Sequence, residues 1–172
     1  IKALTEADTV VMDKTGTLTE GVFKVERACT ADGITEQELN KAAAEAEAMS
    51  NHPVAKAVAA YAGKAGGGYD ITELSGRGVK AEKKDAVILA GNKRLMDENG
   101  ITVDDTDNGC AVIYVAENGK YMGRYDVSDT IKPDSAETVR ELKASGKGVY
   151  MLTGDNDAAA KKVASALGIE FR

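Results

Sequence analysis

With 172 residues, the chain is long enough to bury a hydrophobic core and to form either one domain or two small ones. Its composition, 43% hydrophobic and 29% charged, is ordinary for a soluble globular protein. The net charge of -6 argues against a general nucleic-acid-binding protein, which needs a basic surface. No apolar run approaches the roughly 18 residues of a membrane-spanning helix, and no signal peptide is recognised. Cys29 and Cys110 lack a CxxC partner and are predicted to be reduced thiols in a cytosolic setting.

The first predicted element is a short buried strand over Thr9–Met12, because β-branched residues cluster there and a glycine turn follows. The heptad DKTGTLT comes directly after it, at residues 13–19. A carboxylate at the carboxyl end of such a strand lies where open α/β sheets place their chemistry. Lysine, threonine and glycine bind phosphate through a cation, hydroxyl groups and backbone N–H groups. We therefore interpret this loop as a phosphate site rather than as a polar turn.

Two helices are predicted after a half-buried strand over residues 24–29. The first has Thr35 as its N-cap, with Glu38 completing a capping box. Pro53 suits the first position of the second helix. A flexible glycine loop follows at residues 65–68. The apolar faces of the two helices are predicted to consist of Leu39, Ala42, Ala43, Ala46 and Met49, and of Val54, Ala57, Val58 and Tyr61.

Residues 69–125 are rich in predicted strands, at positions 71–74, 78–82, 86–90, 110–116 and 120–127. A short helix over Lys93–Asn99 is expected to stop at Gly100, which suits the residue after a helix end. Asn118-Gly119 is a strong signal for a hairpin between the last two strands. Strands joined by such local turns favour an antiparallel sheet with helices packed on one side.

Beyond Asp129, strands and helices alternate along the chain. Pro133 opens a helix, and a strand over residues 147–152 ends in Thr153-Gly154-Asp155. The next helix places Ala160, Val163, Ala164 and Leu167 inward, and a further strand begins at residue 168. This alternation predicts a parallel sheet to which Thr9–Met12 also belongs. The middle of the chain is therefore predicted to be an insertion into a doubly wound domain.

The heptad at residues 13–19 resembles the phosphorylation signature of P-type ATPases, ion pumps of the haloacid-dehalogenase-like (HAD) superfamily. The resemblance implies that Asp13, with Lys14 and Thr15 beside it, attacks the γ-phosphate of ATP and becomes an aspartyl-phosphate. Hydrolytic relatives usually carry a second Asp at the position of Thr15. Threonine cannot shuttle a proton at neutral pH, so the acyl-phosphate is expected to persist.

Thr153-Gly154-Asp155 resembles the second motif of the same family. On pattern alone, such a triplet is more often a helix N-cap. Paired with the heptad, it implies that Thr153, Gly154 and Asp155 help to hold the transferring phosphoryl group through a hydroxyl and backbone N–H groups at a helix N-terminus.

The resemblance further implies a Mg²⁺ site, which the family builds from Asp13, the backbone carbonyl of Thr15 and an Asp of a later GDGxND motif. No GDGxND occurs in this sequence. We therefore expect a C-terminally truncated fragment with an incomplete phosphorylation domain and feeble or absent catalysis of its own. Its expected partners are ATP and the missing transmembrane and actuator domains of the same pump. Neither nucleic acid nor the transported metal is expected to bind it.

The only histidine, His52, stands before Pro53 and five residues after Glu47. A histidine in this place is usually a cap or a surface group. Here it resembles the HP motif of heavy-metal pumps, which implies that His52 and Glu47 contact adenine, through stacking and through its exocyclic amine. The family's GxG and GN elements, which line the same pocket, are matched by Gly76, Gly78, Val79, Gly91 and Asn92. Glycines let the backbone approach the ligand, and Asn92 can hydrogen-bond a ribose or phosphate, although a lone GxG is often only a turn or bulge.

The resemblance covers essentially the whole chain and implies an α/β fold. The phosphorylation domain is expected at residues 1–20 and 126–172, as a partial HAD-like domain with a Rossmann-type parallel sheet. It is interrupted at residues 21–125 by an α+β nucleotide-binding domain with an antiparallel sheet. The implied function is the cytosolic ATP- and Mg²⁺-dependent region of a heavy-metal pump at the cytoplasmic face of a membrane. Residues 50–53, residues 91–96 and the stretch ending in YDVSD at residues 125–129 are most similar to zinc, cadmium and lead exporters, with copper pumps as the alternative. A soluble HAD-type phosphatase and a nucleotide-binding module are the alternatives from other classes.

Overall fold

The computed structural model of the chain describes residues 7–172. These residues divide into two compact units, each with its own core. The split unit comprises residues 7–22, 107–109 and 129–172, and the inserted unit comprises residues 23–106 and 110–128. Within residues 7–172, no helix is both long and apolar enough to cross a membrane. Cys29 and Cys110 are not joined by a disulfide.

The strands and helices predicted from the sequence are present, with bounds shifted by a few residues. Strands β2 and β7 are longer than expected, and each carries the chain from one unit to the other. In chain order the elements are β1 (Thr9–Asp13), β2 (Thr19–Thr30), α1 (Glu36–Glu47), α2 (Pro53–Ala62), β3 (Asp70–Leu74), β4 (Gly78–Lys83), β5 (Ala86–Gly91), α3 (Lys93–Glu98), β6 (Ala111–Glu117), β7 (Lys120–Ile131), α4 (Ser135–Ala144), β8 (Gly148–Leu152), α5 (Asp157–Leu167) and β9 (Glu170–Phe171).

The split unit contains the predicted parallel sheet, in the order β1-β8-β9. Strand β1 pairs with β8 from Thr9 opposite Gly148 to Asp13 opposite Leu152. Both helices pack on this sheet, because side chains of α4 and α5 share one core with Val149 and Met151. The residues predicted to face inward from α5 are all buried: Ala160, Val163, Ala164 and Leu167. The prediction of alternating strands and helices around a parallel sheet is therefore confirmed.

The prediction that β1 is a buried strand is wrong. Val11 is 60% exposed, whereas Met12 packs against the core of the split unit. Strand β1 lies at the edge of the sheet, and α4 and α5 cover the face to which Met12 points. Leu152, which lies on the same face as Val11, is 55% exposed. A run of apolar residues is compatible with a strand that is buried on both faces of its sheet. Here the described residues cover only one face of β1.

The inserted unit contains an antiparallel sheet in the order β2-β7-β6-β5-β4-β3. Helices α1 and α2 pack on one face, where Leu39 and Val58 are fully buried against Ile88 and Val115. The hairpin between β6 and β7 turns at Asn118 and Gly119, with φ values of 50° and 78°. Positive φ at both central residues is the geometry that Asn-Gly favours in two-residue hairpin loops, so this turn is confirmed.

Helix α3 contradicts the prediction that the helices of this region pack on one side of the sheet. Its residues Leu95 and Met96 form a separate core with Leu89 and Tyr114. Because side chains alternate along a strand, Leu89 points away from the face that Ile88 shares with α1 and α2. The sheet is thus covered on both faces, by α1 and α2 on one and by the shorter α3 on the other.

The N-terminus of α1 is formed as predicted. The backbone N–H of Glu38 donates to the Thr35 hydroxyl at 3.3 Å, and the Thr35 N–H donates to the Glu38 carboxylate at 2.8 Å. The helix ends at Glu47, however, so Met49 lies beyond it and is 73% exposed, against the prediction. Tyr61 of α2 is 45% exposed, although its ring and that of Tyr125 form a T-shaped pair with a centroid distance of 5.9 Å.

Candidate functional site

Asp13 is the last residue of β1, and both it and Thr15 are exposed. The loop that follows bends at Gly16, whose φ of +78° belongs to the left-handed region that glycine adopts without strain. Thr19 follows the loop, and its side chain is fully buried. Its hydroxyl lies 3.0 Å from the carbonyl oxygen of Lys14 and accepts from the Gly16 N–H at 3.3 Å. The loop therefore has a fixed backbone and presents the Asp13 carboxylate to solvent.

Residues 129–135, which follow the inserted unit in the chain, form hydrogen bonds with this loop. Asp129 Oδ2 accepts from the Thr19 hydroxyl at 2.5 Å. The Lys132 ammonium donates to the carbonyl oxygen of Gly16 at 2.8 Å, and the Ser135 hydroxyl donates to that of Leu18 at 2.9 Å. These hydrogen bonds join residues more than a hundred positions apart, so the sequence pattern does not predict them.

Thr153, Gly154 and Asp155 lie beside this loop because Asp13 is opposite Leu152 in the parallel register. The Lys14 ammonium forms an ion pair with the Asp155 carboxylate. Burial acts to raise the pKa of Asp155, but hydrogen bonds to Lys14 and Thr153 outweigh it and hold the pKa below its ordinary value. The structure thus brings the two predicted phosphate motifs together through a charged contact.

The triplet does not itself begin helix α5, which corrects the sequence prediction. The N-cap is Asn156, whose side chain accepts from the N–H of Ala159 at 2.9 Å. The Thr153 hydroxyl instead accepts from the N–H of Asp155 at 3.1 Å, within the loop. The triplet is therefore a turn ahead of the cap, and neither a cap nor the first turn of a helix.

Across residues 7–172, no group of three or more His, Cys, Asp or Glu side chains has the arrangement of a metal site. Asp13 and Thr15 were predicted to supply a carboxylate and a backbone carbonyl to Mg²⁺. Both are exposed, and hard oxygen donors of this kind suit Mg²⁺, which usually keeps several waters and few protein ligands. This assignment stays a prediction.

The inserted unit contains a cavity of about 470 Å³. Of the residues predicted to bind nucleotide, Glu47, His52, Gly76, Gly78, Val79 and Asn92 line it. Gly91 does not line the cavity and lies opposite Gly78 in the pairing of β4 with β5. Residues from α1, the start of α2, the β3–β4 turn and the start of α3 therefore converge on one cavity, although they are spread over 46 positions of the sequence.

Glu47 forms the deepest polar group of this cavity. It is 3% exposed, and its Oε2 has no hydrogen-bond partner among the described residues. Burial of the carboxyl, together with the nearby charge of Glu73, raises the pKa of Glu47 to about 7. A buried carboxyl without a partner is costly, and such groups concentrate where a ligand supplies the missing interaction.

His52 is the N-cap of helix α2 as well as a wall of the cavity. Its Nδ1 accepts from the N–H of Val54 at 3.3 Å. In the neutral ring this places the proton on Nε2, which leaves a donor and the ring face for a ligand. The cap role and the binding role, treated as alternatives from the sequence, are therefore compatible in one side chain.

Gly78 and Gly91 bring strands β4 and β5 unusually close together. A Cβ on Gly78, whose φ is +144°, would clash with the carbonyl oxygen of Ala90. A Cβ on Gly91 would clash with the carbonyl oxygen of Arg77 and lie 2.8 Å from a methyl group of Leu95. These two glycines are needed for the close approach of the two backbones, whatever ligand the cavity binds.

Asn92 uses its side-chain amide inside the protein. Its Nδ2 donates to the carbonyl oxygen of Gly76 at 2.9 Å, and its Oδ1 accepts from the N–H of Leu95 at 3.1 Å, capping α3. It therefore ties the turn between β3 and β4 to the start of α3. The predicted hydrogen bond from Asn92 to a ribose or phosphate would have to share these groups.

The sequence profile of the haloacid dehalogenase-like hydrolase family matches residues 7–171. A zinc-transporting ATPase of Synechocystis sp. strain PCC 6803 is 39% identical over 99% of this chain, and a probable copper-exporting P-type ATPase V of Mycobacterium tuberculosis is 32% identical over the same share. The chain spans 24% of the length of each of these relatives.

Solved structures give the same result. A zinc-transporting PIB-type ATPase in its E2.Pi state superposes with a TM-score of 0.80 at 32% identity, over 98% of this chain and 29% of that one. The catalytic domain of the CPx-ATPase CopB-B, studied for its conformational changes upon nucleotide binding, superposes with a TM-score of 0.76 at 28% identity, over 99% of this chain and 64% of that domain.

Proposed function

Because the chain belongs to the haloacid dehalogenase-like hydrolase family and matches heavy-metal P-type ATPases along nearly its whole length, we propose that it is the ATP-binding and phosphorylation region of such a pump. In this proposal the split unit is the phosphorylation domain and the inserted unit is the nucleotide-binding domain. The complete pump would hold this region at the cytoplasmic face of a membrane, with transmembrane and actuator domains as its partners.

The observation that supports nucleotide binding best is the unpartnered Glu47 carboxyl at the bottom of the cavity. A purine with an exocyclic amine would donate a hydrogen bond to Oε2 and fill the apolar space beside Val54 and Ala55. The ring of His52 offers a surface for stacking at the same cavity. Adenine supplies both features, and ATP is the adenine nucleotide that the phosphorylation motif requires.

In the split unit, Asp13 would be the phosphoryl acceptor. Its carboxylate oxygen attacks the γ-phosphorus of ATP, the bond from that phosphorus to the β–γ bridging oxygen breaks, and ADP leaves. Lys14 neutralises charge beside the loop and is itself held by Asp155. Thr153 and Gly154, in the turn beside Asp13, would contact the transferred group. The Asp13 carboxylate and the Thr15 carbonyl would hold Mg²⁺, which supplies charge neutralisation when bound.

Thr15 favours a persistent aspartyl-phosphate over a phosphatase reaction. Its hydroxyl is exposed, and unlike a carboxyl group it cannot exchange a proton at neutral pH. A long-lived phosphoenzyme suits a pump, which changes conformation before the phosphate is lost. Thr15→Asp should therefore shorten the lifetime of the phosphoenzyme in the complete pump, and an unchanged lifetime would contradict this role.

We propose zinc, cadmium or lead as the cargo, since the resemblance in residues 50–53, 91–96 and 125–129 favours exporters of these ions. Copper is the alternative. The cargo is tested by measuring which metal stimulates phosphoenzyme formation in the complete pump.

Calorimetric titration with ATP tests the nucleotide site. The wild-type chain should bind ATP, and Glu47→Ala and His52→Ala should each weaken binding, while Met49→Ala, an exposed change close to both, serves as the matched control. Equal affinity in all four proteins would refute the adenine assignment. In the complete pump, a hydroxylamine-sensitive phosphoenzyme that disappears in Asp13→Asn tests the acceptor.

A further inference from the structure

Arg77, which stands between Gly76 and Gly78, carries a second unpartnered side-chain atom at the cavity of the inserted unit. Its Nε is buried and has no hydrogen-bond acceptor among the described residues. It is also the one lysine or arginine among the described residues that line the cavity. We propose that Arg77 binds the phosphate groups of the nucleotide, an inference that rests on the proposed function and assigns the residue that orients the ligand.

The backbone fixes Arg77 in this position. Its N–H donates to the carbonyl oxygen of Leu74 at 2.9 Å, and its carbonyl oxygen accepts from the N–H of Asn92 at 2.8 Å. Both hydrogen bonds are made by the main chain, so the turn is formed whichever side chain stands at position 77. The guanidinium group is thus displayed by a rigid turn, and its removal leaves the main-chain contacts in place.

The guanidinium is oriented by a single ion pair. Nη1 donates to Oε2 of Glu98, the last residue of helix α3, at 2.8 Å. The Nε and Nη2 groups share the opposite edge of the planar guanidinium, and the Nε of this edge has no acceptor within the described part of the chain. Two parallel N–H donors on one edge match two oxygens of a phosphate group, which an arginine binds in a bidentate manner.

The charges of the cavity set the direction of the ligand. Glu47 is 3% exposed, whereas the side chain of Arg77 is 39% exposed. Glu47 and Glu73 repel phosphate at their end, and Arg77 is the cation that lines the same cavity within the described residues. A nucleotide therefore enters with its base toward Glu47 and its phosphates toward Arg77. This direction leaves the terminal phosphate exposed for transfer.

The test compares ligands that share the base and differ in phosphate content. Affinities of the complete chain for adenosine, ADP and ATP are measured for wild type, Arg77→Gln, Arg77→Lys and Arg94→Gln. Arg94 is the matched control, because it also pairs with Glu98, at 2.9 Å, but is 69% exposed and does not line the cavity.

Arg77→Gln should weaken ATP and ADP binding about tenfold, the effect of losing one charge-assisted contact, and leave adenosine binding unchanged. Arg77→Lys should fall between wild type and Arg77→Gln, since it keeps the charge and loses the second donor. Arg94→Gln should match wild type.

Two results would overturn the assignment. An equal loss for adenosine and ATP in both Arg77 variants would show that the side chain only supports the cavity wall, and unchanged affinities would show that it has no role in binding. In either case adenosine and ATP still bind the wild-type chain, so the proposed function stands. A wild-type chain that binds neither ligand would overturn the proposed function together with the role of Arg77.

Discussion

Replacement of Glu47 by Gln provides a test of the cavity that needs no ligand. The side chain is almost completely buried, and one of its oxygens lacks a partner within residues 7–172. Glutamine has nearly the same shape and cannot ionise, so it mimics the protonated acid at every pH. The difference between the two proteins therefore isolates the cost of a negative charge at this position.

The magnitude follows from the pKa of Glu47, which burial and then Glu73 raise from 4.5 to about 7. The folded chain thus holds the proton more tightly than the unfolded chain. This contribution to stability is fully present below pH 4.5 and is lost as the pH rises through about 7. Each pKa unit corresponds to roughly 1.4 kcal/mol, so the loss approaches about 3 kcal/mol at alkaline pH. Glu47→Gln should be similar to wild type near pH 4.5 and more stable by about this amount at pH 8.

Urea denaturation across this pH range measures the effect. Tyrosine fluorescence suits it, because all tyrosines except Tyr150 belong to the inserted unit. Glu73→Gln serves as a graded control, since removing the second cause should lower the pKa of Glu47 without abolishing its ionisation. A stability difference between wild type and Glu47→Gln that does not change with pH would refute the reasoning, because it would mean that Glu47 does not change its charge state between these conditions.

Two further changes test the packing around the two sites. Gly78→Ala should destabilise the inserted unit by roughly 3 kcal/mol or more, because the added Cβ would clash with the Ala90 carbonyl oxygen. Gly76→Ala should cost only about 1 kcal/mol, because Gly76 has a φ of +68° but open space around it. Equal urea midpoints for the two variants would contradict the close approach of the strands. Thr19→Val should cost about 1–3 kcal/mol in the split unit, because it leaves Oδ2 of the half-buried Asp129 without its donor. Hydrogen exchange at the Gly16 amide should also rise, and unchanged exchange would contradict the closed loop.

Features set by neighbouring residues could be predicted from the sequence. The capping box of α1 requires only Thr35 and Glu38, and the hairpin at Asn118 requires only the positive φ that Asn-Gly tolerates. Both are local geometry, which the chain specifies within a few residues. The positions of β1 and β8 and their parallel pairing followed from a pattern of alternating elements.

Features set by distant contacts were predicted less well. The apolar period of α1 continues to Met49, yet the helix stops at Glu47, so periodicity placed an exposed residue in the core. The sequence allows Leu95 and Met96 of α3 to pack on either face of the sheet. The face they cover depends on which strand side chains lie on it, and these come from distant parts of the sequence. Val11 illustrates the same limit, since its exposure depends on what covers the far face of the sheet.

The three buried side-chain atoms without partners within residues 7–172 are Glu47 Oε2, Arg77 Nε and Asp129 Oδ1. Each costs free energy that a neutral or shorter side chain would avoid, so stability alone does not account for them. Two of them line the same cavity with opposite charges, which a ligand with a hydrogen-bonding base and an anionic tail would satisfy together. The third, Asp129, lies behind the Asp13 loop and binds Thr19. The unpaired atoms thus fall at the predicted nucleotide cavity and beside the predicted phosphorylation loop, and the physical cost of leaving them unpaired supports the proposed role of both sites.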